Sequence, residues 1–356
     1  MSENTLIKKE RSVGLDILRI FAMFLMTARH YLGYSGVAEI IGFDSFNGIL
    51  MNIISVLAQS SANIFVLISG YFLVNSKFKV TKIIKIWAET WFYSVVFFGV
   101  GILINSKGIS FANIVFTFFP LISRHYWFAV AYIALLAVSP FLNKMIKTLS
   151  YKEFSILVFG GAVILSAWTT IIYFSQGVVM GGNTGLLWFM YLYLIGAYIN
   201  TYKEKIKCGI VTWGAFIISF IIVFSYFFLS SQIPFLKNFP IKNDESIFNL
   251  IISVSLFIVF LNIKINNEKI KKIIASISIS SFGIYLIQEN CMIRYYLWKD
   301  LANANKFAVG WQLFSVLIFS FIILTVLSFF CKKIFNVVYD KCYILVEKIV
   351  MKVKRK

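Results

Sequence analysis

Long runs of apolar residues, each near the roughly 20 residues that cross a bilayer as a helix, recur along the whole chain. They lack the alternation of apolar and polar residues that is typical of transmembrane β-strands. Helices and closed barrels are the two structures that satisfy backbone hydrogen bonds in lipid. We therefore predict an all-α, polytopic membrane helical bundle of about ten transmembrane helices. The predicted spans are residues 13–32, 48–74, 83–104, 126–143, 154–174, 184–201, 208–230, 246–263, 273–291 and 311–332.

The composition of the 356-residue chain supports this reading. Hydrophobic residues make up 60% and charged residues 14%, and the mean hydropathy is +0.83. Soluble domains have about 45–50% apolar and about 25% charged residues. A disordered chain needs low hydrophobicity. These values exclude a soluble globular enzyme and a disordered chain, and we expect a multi-pass protein of the cell (plasma) membrane.

The placement of the basic residues orients the predicted bundle. Most of the 34 lysine and arginine residues lie before the first span, in every second connection and in the tail. The intervening connections contain fewer: Lys107, Arg124, Lys237, Lys242, Arg294, Lys299 and Lys306. Positive residues favour the cytoplasmic side, so both termini are predicted to be cytoplasmic. The net charge of +19 is then explained by topology, and no nucleic-acid partner is expected.

We divide the chain into a cytoplasmic N-terminal tail (1–12), one membrane domain (13–332) and a basic amphipathic cytoplasmic tail (333–356) on the inner leaflet. Apolar residues 108–120 are predicted to be interfacial or re-entrant. No internal repeat is evident, which disfavours an inverted-repeat transporter. With four cysteines, no C-x-x-C pair and two histidines, we expect no metal site and no permanently bound cofactor.

The first span carries ionisable residues, which are costly in lipid and are functional candidates. Asp16, Arg19, Met23, Thr27 and His30 fall within about 80° of one another on a helix. They form one polar stripe that runs from the cytoplasmic end to the outer end of the span. The alternative is that the Asp16–Arg19 pair only holds helices of the bundle together and that His30 is an interfacial hydrogen-bonding group.

The second span also has polar residues at helical spacing. Asn52, Gln59, Asn63 and Gly70 are predicted to share one face, either for interhelical hydrogen bonding or for function. Gly70 would let another backbone or a ligand approach closely.

The predicted topology gathers candidate catalytic residues at the outer face. His30 ends the first span there, His125 precedes the fourth, and Glu289 lies at the end of the ninth. Histidine suits general-base work near neutral pH, and a carboxylate can fix its tautomer. For His125 alone, an aromatic-belt position beside tyrosine and tryptophan is the alternative.

The cytoplasmic face gathers Arg19, Tyr71 and a lysine cluster that includes Lys79 and Lys82. These residues are candidates for binding the phosphates of a donor molecule. Lysines are expected on this face from topology in any case.

Four segments of the chain carry recognisable motifs. R-S-V-G-L-D-I-L-R at 11–19, followed by His30, is similar to the opening helix of the acyltransferase-3 family of integral membrane acyltransferases. I-F-V-L-I-S-G-Y-F-L at 64–73 is similar to its S-G segment. Y-W-F and S-P-F-L-N within 126–143, and S-F-G-I-Y-L-I at 281–287, resemble two further segments.

The resemblance covers residues 10–332 and implies an O-acyltransferase. The donor would be a cytoplasmic acyl-CoA, most often acetyl-CoA, and the acceptor a hydroxyl of a cell-surface polysaccharide or lipid-linked sugar. The essential family histidine carries over to His30, which would deprotonate the acceptor or carry the acyl group transiently. The family acid and base carry over to Asp16 and Arg19, and Ser69 of the S-G segment joins the donor-binding candidates.

Two positions depart from the family pattern. Gln288 stands where the family usually has a histidine, and the usual R-x-x-R is Lys79-Val-Thr-Lys82 here. Lysine keeps the charge but loses the bidentate fork of arginine. Two alternatives stay open at this stage: a transporter or flippase of a lipid-linked sugar, and a membrane-integral partner without chemistry.

Overall fold

The computed structural model describes residues 12–37, 40–41, 45–104, 109–122, 125–172, 185–303, 306 and 310–354, and all regular elements in these ranges are helical. The all-α prediction is confirmed. In chain order the main helices are α1 (Val13–Ser35), α2 (Phe46–Ala58), α3 (Ser61–Leu73), α4 (Val80–Ile104), α5 (Phe111–Phe118), α6 (Trp127–Thr148), α7 (Tyr151–Ile171), α8 (Leu186–Thr201), α9 (Ile210–Gln232), α10 (Ile247–Leu261), α11 (Glu268–Gln288) and α12 (Gln312–Lys354).

Eight helices in the described part of the chain are long and apolar enough to cross a membrane, with α2 and α3 counted together as Phe46–Leu73. The protein is therefore multi-pass. The first and sixth predicted spans correspond to helices that fall outside this set. Helix α1 has 23 residues but carries charges, and α8 has only 16 residues. The count of ten spans and the cytoplasmic termini stay predictions.

The second predicted span is two helices rather than one. The chain turns at Gln59 and Ser60, between α2 and α3. Asn52 on α2 donates to the Gly48 carbonyl of its own helix, whereas Asn63 on α3 bonds to Trp188 and to the backbone of Asp244. Gln59 at the break and Asn63 after it both approach Asp244, so these two residues do share a side. A face common to all four residues stays a prediction.

Helices α3 and α8 cross backbone to backbone. A Cβ on Gly70 would lie 2.2 Å from the Tyr193 carbonyl oxygen, and one on Gly196 would lie 2.2 Å from the Leu67 carbonyl oxygen. Only glycine fits such contacts. The predicted close approach at Gly70 is confirmed, and it fixes the position of α3.

The chain between α4 and α6 contains the short helix α5, capped by the Ser110 side chain. Phe111 and Phe118 on α5 are exposed. This is the segment predicted to be interfacial or re-entrant, and its relation to the bilayer stays a prediction.

Helix α12 continues to Lys354 without interruption at the predicted domain boundary near residue 332. The charge pattern assigns Lys332, the last residue before the predicted tail, to the basic residues of the cytoplasmic side. Its ammonium group pairs with the buried Glu89 carboxylate of α4. A buried carboxylate needs a cationic partner, so this lysine is part of the bundle.

Candidate active site

A cavity of about 280 Å³ lies among α1, α3, α4, α6 and α11, and along α1 it extends from Arg19 to Met26. Much of its wall is apolar, with Met23, Met26, Phe65 and Phe128 among the lining residues. The polar side chains of the wall are Arg19, Ser69, Glu89, Tyr132, Ser278, Ser281 and Tyr285.

A three-residue network orients Arg19 at this cavity. Its Nη1 donates to Asp16 Oδ1 at 3.1 Å and to Ser278 Oγ at 2.9 Å. The Ser278 hydroxyl in turn donates to Asp16 Oδ1 at 2.8 Å. Asp16 is buried, so its charge is compensated by these two donors. The structure thus brings the predicted acid–base pair of α1 to the cavity wall.

Ser69 and Tyr71 are only two positions apart but face different surroundings. The Ser69 hydroxyl lies 3.0 Å from the Tyr132 hydroxyl, and both line the cavity. The Tyr71 ring packs against Phe257 of α10, with ring centroids 5.6 Å apart. Two helical positions differ by about 200° in direction. Ser69 therefore joins the cavity, and Tyr71 supports the packing behind it.

Lys79 and Lys82 lie at the N-terminal end of α4, beside Ser139 and Asn143 of α6. Both lysines are exposed. They line a second, small recess between α3, α4 and α6. On each of these three helices, the residues that line the recess lie about one turn from those that line the cavity. The structure places them near the cavity but does not bring them into one site with Arg19.

At the other end of α1, His30 meets Glu289, which follows the last residue of α11. Nε2 of His30 lies 3.0 Å from Glu289 Oε1. An ionised carboxylate only accepts hydrogen bonds, so we assign the imidazole proton to Nε2. Nδ1 of His30 is buried, and no hydrogen-bond partner for it occurs among the described residues. Nδ1 therefore makes no hydrogen bond within the usual distance limits, although the Gln288 side chain approaches the His30 ring.

The Glu289 carboxylate is held by two further donors. The Tyr34 hydroxyl donates to Oε1 at 3.0 Å, and Arg294 Nη1 donates to Oε2 at 3.3 Å. The Arg294 guanidinium also lies over the Tyr34 ring, 4.6 Å from its centroid. Glu289 is thus fixed in position, and it in turn fixes the ring of His30.

Met23 and Gln288 lie between the cavity and His30. Met23 lines the cavity, and its sulfur accepts a hydrogen bond from Gln288 Nε2 at 3.7 Å. Gln288 is completely buried, and its Oε1 has no partner within the described residues. The position where the family usually has a histidine therefore lies next to the His30–Glu289 pair.

His125 lies just before α6, with its ring 6.0 Å from that of Phe116. Burial lowers the pKa of the His125 imidazole, and the Arg294 guanidinium lowers that pKa further. These aromatic and cationic surroundings agree with the alternative in which His125 belongs to an aromatic belt at the membrane interface. The structure supplies no carboxylate contact for His125 like the one that holds His30, as far as the described residues go.

Sequence reasoning missed the Glu89–Lys332 pair and the role of Tyr34 in holding Glu289. Glu89 carried a usable signal, because a carboxylate in the middle of an apolar span is a functional candidate. Ser278 and Ser281 carried none, because serines are common in membrane helices. In the described ranges no group of three or more His, Cys, Asp or Glu residues is arranged to hold a metal ion.

A model of the acyltransferase-3 family, described as an acyltransferase domain, matches residues 12–332. No curated protein and no solved structure matches the chain. The match covers most of the chain and contains α1, the cavity and the His30–Glu289 pair. The chain therefore belongs to the acyltransferase-3 family and is a multi-pass membrane acyltransferase that transfers groups other than aminoacyl groups.

Proposed function

We propose that this acyltransferase moves an acyl group from cytoplasmic acyl-CoA to a hydroxyl of a cell-surface polysaccharide or lipid-linked sugar. The proposed acyl group is acetyl, and the proposed location is the plasma membrane. The observation that carries the proposal is the contact of 3.0 Å between His30 Nε2 and Glu289 Oε1, which leaves Nδ1 unpaired. A histidine held by a carboxylate is the usual arrangement of a general base and its orienting group.

In this mechanism the His30 Nδ1 lone pair takes the proton of the acceptor hydroxyl. The hydroxyl oxygen forms a bond to the thioester carbonyl carbon, and the carbon–sulfur bond then breaks. The CoA thiolate leaves and receives the proton from the imidazolium. The Glu289 carboxylate stabilises the transient positive charge on the ring, because it accepts the Nε2 hydrogen bond.

The donor would enter from the cytoplasmic side. Arg19 offers a cation on the cavity wall, and Lys79 and Lys82 lie near the entrance between α3, α4 and α6. The eleven residues from Arg19 to His30 correspond to a rise of about 16 Å. The pantetheine arm of CoA is long and thin enough to suit such a path, with the phosphates remaining near the basic groups.

The proposal is tested in a deletion strain complemented with wild type or with His30→Ala. Mass spectrometry of the surface polymer should show acetyl groups with the wild type and none with the variant. Equal acetylation in the deletion strain and the wild-type complement would refute the proposed acceptor class. Acetylation by His30→Ala would refute the base.

The basic entrance is tested with purified protein. Lys79→Ala combined with Lys82→Ala should weaken CoA binding, and the difference from wild type should shrink as salt is raised, because exposed contacts to phosphate are screened. Lys144→Ala with Lys147→Ala, on the same predicted face, is the matched control and should bind CoA like the wild type. Equal effects of both pairs of substitutions would mean that Lys79 and Lys82 only help to orient the protein in the membrane.

A further inference from the structure

The wall of the cavity between α4 and α11 carries two polar side chains that the mechanism above does not use. Glu89 on α4 and Ser281 on α11 both line the cavity, and both are buried, at 3% and 2% exposure. The bundle core is apolar around them. Polar groups at such positions are costly unless they are paired.

The Ser281 hydroxyl is unpaired in the structure. Its neighbours on α11 are not: Ser278 Oγ donates to Asp16, and Ser280 Oγ donates back to the Ser276 carbonyl of its own helix. Ser281 Oγ has no partner among the residues described. Because Ser281 lines the cavity, rotation about its Cα–Cβ bond would bring one donor and its acceptor capacity to a molecule there.

Glu89 is partnered but not saturated. Its Oε1 accepts from the Lys332 ammonium, and this pair leaves no net charge on the wall. A carboxylate has about four acceptor sites, so Glu89 can accept a further N–H or O–H. A neutral ligand group with a hydrogen-bond donor fits this position better than a free cation does, because Lys332 already supplies the positive charge.

The cavity therefore offers an acceptor at Glu89 and a hydroxyl at Ser281, within walls that are otherwise largely apolar. A secondary amide flanked by methylene groups matches this pattern. Its N–H suits the carboxylate, its carbonyl suits the hydroxyl, and its methylenes suit side chains such as Phe65, Phe128 and Phe282.

We propose that Glu89 and Ser281 form a subsite for one of the two amides in the pantetheine arm of the acyl donor. This inference rests on the proposed function, since it presumes an acyl-CoA donor. The subsite makes the enzyme selective for an amide-containing donor over other thioesters.

The test uses calorimetry on the purified full chain, with CoA and with two CoA analogues in which one amide N–H or the other is replaced by an ester oxygen. The wild type should bind one of the two analogues at least about tenfold more weakly than CoA, because a hydrogen bond to a charged group is lost. In Glu89→Gln this ratio should fall towards one.

Ser281→Ala and Ser280→Ala form a matched pair. Both serines are buried on the same helix, but only Ser281 lines the cavity. Ser281→Ala should weaken CoA binding by about fivefold or more, and Ser280→Ala should bind like the wild type. Because the buried Ser281 hydroxyl has no internal bond, its removal should not lower the thermal unfolding temperature. This pair decides the question even where Glu89→Gln fails to fold.

The possible outcomes separate the two claims. If the wild type does not bind CoA, the proposed donor is wrong. The subsite is wrong, and the donor assignment stands, if the wild type binds both ester analogues as tightly as it binds CoA. The same holds if Ser281→Ala and Ser280→Ala bind CoA with equal affinity.

Discussion

Replacing Glu289 with glutamine should lower the turnover number about tenfold while leaving the donor affinity intact. The substitution keeps the size of the side chain and an oxygen that can accept from His30 Nε2, but it removes the negative charge. Glu289 lies beyond the Met23–Gln288 contact that bounds the cavity, so CoA binding should not change.

The magnitude follows from the hydrogen bond that changes. A bond to a charged group contributes about 1.5–3 kcal/mol, and a neutral one about 0.5–1.5 kcal/mol. The bond of 3.0 Å between His30 and Glu289 gains most when the ring is protonated in the transition state. Losing about 1–1.5 kcal/mol there corresponds to a decrease of about 5- to 15-fold in kcat. His30→Ala removes the base itself and should cost about 10²–10⁴-fold.

The assay measures transfer of labelled acetyl groups from acetyl-CoA to the acceptor polymer by protein in liposomes, with separate determination of kcat and of the CoA dissociation constant. His125→Ala is the comparison variant and should retain most activity, because the aromatic surroundings of His125 explain its presence without a catalytic role. Its pH profile near neutrality should match the wild type, since burial lowers the pKa of the His125 imidazole and keeps it neutral there. Wild-type turnover in Glu289→Gln would refute the orienting role. A dead His125→Ala beside an active His30→Ala would move the base to His125.

Three further predictions test the topology, the donor site and the packing. Reporter fusions after residues 40, 180 and 300 should report the outside and those after 148 and 268 the cytoplasm; a cytoplasmic signal at 180 would break the ten-span arrangement. Arg19→Ala should weaken CoA binding by calorimetry more than His30→Ala does, because Arg19 lines the cavity, and equal binding by wild type and Arg19→Ala would remove it from the donor site. Gly70→Ala should sharply reduce the yield of folded protein, because its Cβ would lie 2.2 Å from the Tyr193 carbonyl oxygen. Gly99→Ala is the control and should be tolerated, because Gly99 has open space around it. Similar yields of the two variants would contradict the close crossing of α3 and α8.

The sequence predicted local relations best. Helical spacing placed Asp16 beside Arg19, and the charge pattern placed His30 and Glu289 at the same end of the bundle, where they are in contact. Both inferences rest on one helix or on the alternation of spans, which are regular. The neighbours of Gln288 could not be read in the same way, because they are set by packing.

Long-range packing accounts for what the sequence did not predict. The chain turns between α2 and α3 at the short polar stretch Gln59-Ser60-Ser61, and the helical spacing of the surrounding polar residues conceals this turn. Tyr71 points towards α10 because α8 fixes the rotation of α3. Lys332 looks like one more basic residue of the cytoplasmic side, and only the position of α12 beside α4 shows that it compensates Glu89. The partner of a buried charge is set by tertiary contacts that leave no periodic signal.

The close crossing of α3 and α8 also bears on how the enzyme responds to membrane thickness. Helix α8 has 16 residues, about 24 Å, which is shorter than the hydrocarbon core of about 30 Å. Most of its side chains between Trp188 and Ile199 are buried in protein, whereas α9 is largely exposed. Hydrophobic mismatch acts on surfaces that touch lipid, so a thicker or thinner bilayer should tilt α9 and leave α8 in place. Because α8 holds α3 through Gly70, the depth of Ser69 should stay constant, and catalysis should tolerate changes in lipid composition.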